Sequence, residues 1–213
     1  MTDGLLITRS SHDLPTMYLS YWCEPLIEVA KRSNIQVLDL SNEKATPTHL
    51  LSYVKKRKPA IVFLNGHGGP DFVCGYNDVV LVDTKNCEDL LKDKVVYARS
   101  CRAGAILGPY SVKRGAKAFI GYSRNYSVGY LEEKRTRPLT DNVARLFLEP
   151  SNLIPQTLVF GNTPTRAYEL SQRKMLKNLQ YMLSRKATMD ERDAAPYLWS
   201  NIKYQVIFEK NKT

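Results

Sequence analysis

A chain of 213 residues with 43% hydrophobic residues, 13 Tyr and 6 Phe can bury one sizeable core and reads as a single domain over residues 1–213. Lys and Arg outnumber Asp and Glu by 31 to 21, and the resulting charge of +10 favours solubility and acidic partners without identifying them. No run approaches the ~20 apolar residues of a membrane span, the opening MTDGLLITRS has an acidic residue and no cleavable small-residue pattern, and four cysteines without a CxxC pair suggest neither a disulfide scaffold nor a zinc site; a cytoplasmic protein with free thiols and no membrane partner is expected.

Leu5 to Thr8 is a short apolar run, followed by the turn-prone Arg9-Ser10-Ser11-His12-Asp13 and by helical spacing from Pro15 to Arg32. The unit recurs. Ile35 to Leu40 reads as a strand, His49 to Lys56 as a short helix, and Ala60 to Leu64 as a β-branched run closed by Asn65-Gly66-His67-Gly68-Gly69-Pro70. This βαβαβ pattern implies a parallel sheet. Two short β-rich pieces between Phe72 and Val82 flank Gly75-Tyr76-Asn77-Asp78, the composition of a small inserted hairpin. Alternation then resumes: a helix over Asn86 to Lys92, a strand over Val95 to Ala98, helix or loop from Arg102 to Lys113, and a strand over Ala118 to Gly121. Beyond these, Pro138 to Leu148 and Thr163 to Leu183 have helical periodicity, the second with Thr163-Pro164 at its cap and first turn, and Lys203 to Phe208 reads as a last strand.

In open parallel sheets, functional groups collect beyond the carboxyl ends of the strands. The third strand runs into a loop that presents His67 among glycines, a natural setting for a solvent-accessible base. The fourth ends Arg99-Ser100-Cys101, where nearby amides and a following helix N-terminus would favour thiolate. If these strands are neighbours, imidazole can take the thiol proton while the amides of Gly68 and Cys101 face an oxyanion. The bland readings are an inert core thiol and a phosphate-binding glycine loop, but GHGG lacks the Lys and Ser/Thr of a P-loop and the spacing of GxGxxG. The order His then Cys excludes a papain-like layout.

An apolar strand ending in His-Gly (IVFLNGHGG) and another ending in Cys (VVYARSCRAG) resemble the caspase-like (clan CD) cysteine peptidases. The caspase signature Q-A-C-[RQG]-G, with its His ~50 residues upstream, is replaced by Arg99-Ser100-Cys101-Arg102 at a shorter separation, so the likeness is not to caspases themselves. GAILGPYSVKRGAKAFIGYS looks like the CHAT and gingipain-like branches. The resemblance implies an α/β three-layer sandwich with a mostly parallel central sheet, helices on both faces and a small hairpin insertion. It also implies a nucleophile at Cys101, a base at His67 and oxyanion amides at Gly68 and Cys101; no cofactor and no metal are expected. In that superfamily the residue two before the nucleophile commonly lines the primary pocket. Here it is Arg99, with Arg9 and Arg124 in rough correspondence to the two arginines that caspases use, so cleavage after Asp or Glu is expected.

The partners expected are a polypeptide substrate and a regulatory protein or effector, with Ser123 to Pro138 as a mobile loop and Lys134-Arg135-Thr136-Arg137 as an accessible processing site. Two other functions compete: a catalytically idle caspase-like protein-binding module, against which the intact His67/Cys101 pair counts, and a basic nucleic-acid-binding domain. For the latter the sequence offers Tyr122, Tyr126 and Tyr130 near Arg124, a spacing that can equally line a peptide groove.

Overall fold

The computed structural model describes residues 4–210, so the reading of Met1-Thr2-Asp3 as no cleavable leader lies outside the described residues. The elements in chain order are β1 (Leu5–Arg9), α1 (Leu14–Tyr21), α2 (Glu24–Arg32), β2 (Val37–Ser41), α3 (Pro47–Arg57), β3 (Ile61–Asn65), β4 (Phe72–Cys74) and β5 (Val80–Asp83). They are followed by α4 (Cys87–Leu91), β6 (Val95–Arg99), α5 (Leu107–Lys113), β7 (Ala118–Tyr122), α6 (Asn142–Val159), α7 (Pro164–Met182), α8 (Met189–Tyr204) and β8 (Gln205–Glu209). No described helix is long and apolar enough to cross a membrane.

Six strands form one sheet in the order β2-β1-β3-β6-β7-β8. The first five are parallel and β8 closes the edge antiparallel to β7. Strands buried on both faces must be apolar at odd and even positions alike, and they are. Leu6, Val62, Leu64, Val96 and Ala98 share one core with Leu50, Leu91 and Leu107 of α3, α4 and α5. Leu5, Ile7, Ile61, Phe63 and Tyr97 share the opposite core with Leu26, Ile154 and Ala167 of α2, α6 and α7. The period-2 alternation thus feeds two helical layers. A third cluster, with Tyr18, Trp22, Phe147, Met175 and Leu198, joins α1 to the α6–α8 bundle. β4 and β5 form the expected hairpin, with a single turn of 3₁₀ helix over Tyr76–Asp78 between them.

Two local expectations need correction. The Pro15 to Arg32 segment is two helices, because Pro25 occupies the first turn of α2 and breaks the ladder that α1 would otherwise continue. The helix expected to begin at Pro138 starts at Asn142, capped by Asp141 Oδ1 on the Ala144 amide (2.9 Å), and runs through Pro150 and Pro155 to Val159. The stretch read as helix or loop contains both: residues 102–106 are loop, and α5 begins at Leu107. Finally, α8 was not foreseen; Thr188 and Glu191 form a capping box at its start.

Candidate active site

Strand order reverses beside β1: its first crossover leads outward to β2, and the next returns to place β3 on its other side. Ligand crevices form beyond the carboxyl ends of strands at such a point. The loop after β1 carries His12 and Asp13, the loop after β3 carries His67, and the loop after β6 carries Ser100 and Cys101. The β3 and β6 strands are in direct parallel register, with Asn65 beside Arg99. The two loops touch: a β-carbon on Gly68 would overlap Ser100 Oγ and lie 3.3 Å from the Cys101 carbonyl oxygen, so only glycine fits there. Gly69 donates to the Phe72 carbonyl (3.0 Å) and Cys74 to the His67 carbonyl (2.9 Å), which ties the glycine loop to the hairpin.

His67 Nε2 lies 2.6 Å from Asp13 Oδ2, and both side chains are 39% exposed. A carboxylate only accepts, so Nε2 carries the proton and donates it, leaving Nδ1 as the basic nitrogen. Sequence reasoning missed Asp13, since its role depends on β1 lying next to β3. Partial burial pushes the Asp13 carboxyl up, but hydrogen bonds from Thr16 and His67 together outweigh it and hold the group below its ordinary value.

Cys101 is partly exposed, whereas Cys23, Cys74 and Cys87 are buried. Its Sγ–H donates to the Tyr126 carbonyl at 3.6 Å, and among the described residues no hydrogen bond joins it to His67. Burial pushes the Cys101 thiol up, the Tyr126 hydrogen bond and the nearby Arg102 charge offsetting part of that effect. The helix N-terminus expected beside this thiol is not there, because Arg102 takes a left-handed φ of 57° and its amide turns to the Arg124 carbonyl (3.0 Å). The amides of Gly68 and Cys101 donate to no acceptor among the described residues, which leaves both available to an incoming oxygen.

The three arginines expected to form the primary pocket are not brought together. Arg99 has no exposed surface. Its Nε donates to Asn65 Oδ1 (2.7 Å), NH1 to Ser151 Oγ and Asn152 Oδ1 (both 2.9 Å), and NH2 to the Leu19 carbonyl (2.9 Å) and Cys23 Sγ (3.1 Å). A guanidinium so enclosed cannot reach a substrate carboxylate. Nor does it pair with Asp71 or Asp141; Asp141 accepts from Tyr18 Oη (2.8 Å) and the Leu131 amide (2.7 Å) instead. Arg9 grips Asp39 bidentately, at 2.8 and 2.7 Å, with Glu24 at 3.7 Å. Arg124 is exposed and lines a shallow groove of about 470 Å³ with Arg102, Asn125, Ser127, Ser200 and Tyr204.

A second groove, of about 580 Å³, shares Ser127 with the first and has Tyr126, Tyr130, Asp190, Asp193 and Tyr197 in its lining. Of the tyrosines singled out in the sequence, Tyr122 is buried, Tyr126 packs on it with ring centroids 4.6 Å apart, and Tyr130 stacks on Tyr18 at 5.0 Å. The Ser123 to Pro138 segment is tethered: Ser127 exchanges two hydrogen bonds with the Asn201 side chain (3.0 and 2.6 Å), and Leu131 is held by Asp141 and Tyr18. Arg135, Thr136 and Arg137 at its far end are exposed.

No protein-family model matches the sequence, and no curated protein does. Among solved structures the chain is similar to the complex of Porphyromonas gingivalis RgpB pro- and mature domains, with a TM-score of 0.59 and 12% identity over 98% of this chain and 47% of that one. This chain thus spans about half the length of the one it matches, and the likeness shows the fold: a caspase-like α/β arrangement. A match to the alanine–glyoxylate aminotransferase ALR1004 from Nostoc sp. has a TM-score of 0.30 at 13% identity, over 86% of this chain and 55% of that one, and carries no argument.

Proposed function

We propose that this protein is a cysteine endopeptidase that cleaves polypeptides through a thioester on Cys101, with His67 as base. The observation that supports it best is the meeting of three loops at one strand-order reversal: an imidazole oriented by Asp13, a partly exposed thiol on the adjacent strand, and two unengaged amides beside them. In this reading His67 Nδ1 takes the Sγ proton and the thiolate attacks the scissile carbonyl. The oxyanion rests on the Gly68 and Cys101 amides, the leaving amine recovers the proton from His67, and water hydrolyses the thioester. The caspase-like fold agrees with this assignment, and GAILGPYSVKRGAKAFIGYS favours the CHAT and gingipain-like branches.

Regulation by a partner, an effector or processing belongs to the same reading, since the thiol must leave the Tyr126 carbonyl before it meets His67. Cleavage after Asp or Glu now rests on the Arg102/Arg124 groove. Asp190 and Asp193 in the neighbouring groove favour a second specificity, for Lys or Arg. Incubation with a peptide library and a thiol-directed acyl probe tests the proposal, with turnover compared on matched substrates ending in Asp, Glu, Lys, Arg and Leu. Cys101→Ala and His67→Ala are each expected to abolish hydrolysis with the fold intact, a loss of several orders of magnitude. Near wild-type turnover in either variant, or labelling of Cys23, Cys74 or Cys87 ahead of Cys101, would sink the assignment.

A further inference from the structure

His12 is absent from the chemistry derived above, yet its surroundings are unusual. It follows β1, one residue before Asp13, and its side chain is 14% exposed. Both ring nitrogens are shielded from solvent and neither has a hydrogen-bond partner. Buried polar nitrogens are normally satisfied, because leaving one bare costs about 1–3 kcal/mol. Nε2 does lie 3.3 Å from Asp78 Oδ1, but without the alignment of a hydrogen bond. On the other side its ring stands 5.8 Å from that of His67, at 66°.

Asp78 is held toward this histidine by a tight turn. Asn77 and Asp78 take left-handed φ angles of 51° and 58° in succession, a conformation that Asn and Asp adopt more readily than other non-glycine residues. The turn is fixed from both ends: the Tyr76 amide donates to the Ala45 carbonyl (3.0 Å) and Gly75 to Val79 (2.9 Å), while the Tyr76 ring packs edge-on to His12. Asp78 itself is 60% exposed, which keeps the cluster open to ions in solution.

One donor atom each from His12, His67 and Asp78 lies within 4.8 Å of the other two. Ligands at about 2.0–2.1 Å around a tetrahedral ion stand about 3.3 Å apart, so a contraction of at most about 1.5 Å closes the cluster. Two imidazoles and one carboxylate suit Zn²⁺ or a neighbouring first-row ion, with water in the fourth position, and suit Ca²⁺ or Mg²⁺ poorly. His67 gives its Nε2 proton to Asp13, so a metal would take Nδ1, and Asp13 would then orient the ligand imidazole through its other nitrogen, as in carboxylate–histidine–metal sites.

We infer that His12, His67 and Asp78 form a binding site for a divalent transition-metal ion, Zn²⁺ above all, which occupies the lone pair His67 needs as a base and so holds the enzyme inactive. The binding half stands on the cluster alone; the inhibitory half rests on the peptidase reading. Metal release would then be the activating event, with no covalent change in the chain.

The test separates these halves. Co²⁺ is titrated into the metal-stripped full chain and followed by its visible absorption, with competition by Zn²⁺, and turnover on the best library peptide is measured over the same titration. One equivalent should bind, Zn²⁺ should displace it, and turnover should fall in parallel. His12→Ala and Asp78→Asn should each weaken binding at least about tenfold and relieve inhibition while basal turnover stays near wild type. Asp78 is exposed, so its variant should fold even if the His12 variant does not. Cys101→Ala should bind as the wild type does. The inference is overturned by binding that survives both the His12 and Asp78 substitutions, by binding lost in Cys101→Ala, or by no binding at about 100 μM metal. A chain that binds metal as described but cleaves no peptide would sink the peptidase reading instead, and leave the site standing.

Discussion

Asp13 serves two partners with its two oxygens. Oδ1 accepts from the Thr16 amide at 2.9 Å and caps α1, while Oδ2 meets His67. Asp13→Asn keeps an oxygen for the cap but replaces an acceptor with a donor opposite Nε2, which shifts the imidazole to the wrong tautomer. Turnover should fall about a hundredfold or more with the melting temperature little changed; turnover within about twofold of wild type would remove Asp13 from the mechanism. Arg99 calls for the opposite pattern. Its five donors join β6 to β3, to the α1–α2 junction and to α6, so Arg99→Leu leaves several buried acceptors bare. We expect a loss of about 3 kcal/mol in urea denaturation and no change in which substrate residue precedes the cut. An altered preference with stability retained would return Arg99 to the pocket.

The elements show why the reading along the chain succeeded and where it stopped. β1, β3, β6 and β7 were legible because strands covered on both faces must be continuously apolar, and their ends then marked His67 and Cys101. Helices were harder: Pro150 and Pro155 argue for a stop in α6 that tertiary packing overrides, and α8 has Pro196 in its interior despite the Thr188/Glu191 box that announces its start. His12, Asp13 and Asp78 were illegible for a different reason. Each belongs to a turn whose neighbours are set by strand order. The 102–106 loop also has a measurable consequence, since without a helix N-terminus at Cys101, burial dominates and the thiol is raised. A raised pKa means little thiolate at neutral pH, so iodoacetamide labelling of Cys101 should still be climbing above pH ~8.5, the ordinary thiol value. A plateau below pH ~7 would show a thiolate already stabilised in the resting enzyme.

On the scale of the whole molecule, every residue assigned to catalysis or metal binding precedes Tyr126, whereas α6, α7, α8 and β8 follow the exposed Arg135–Arg137 turn. The two portions are nonetheless interleaved. β8 completes the sheet along β7, pairing Tyr122 with Gln205 through to Ala118 with Glu209, and Ser151 and Asn152 of α6 hold the Arg99 guanidinium. Brief trypsin treatment should therefore nick the chain after Arg135, the Arg137–Pro138 bond being resistant, and yield two bands in denaturing gels but one peak, of unchanged size, in gel filtration. Separation of the pieces under native conditions would mean that the covalent link, rather than β8 and Arg99, keeps them together. The antiparallel edge strand thus acts as a clasp: the C-terminal part is fastened into the sheet it covers, so a peptide bond lost at that turn would change the freedom of the loop bearing Tyr126 without dismantling the body that carries the thiol.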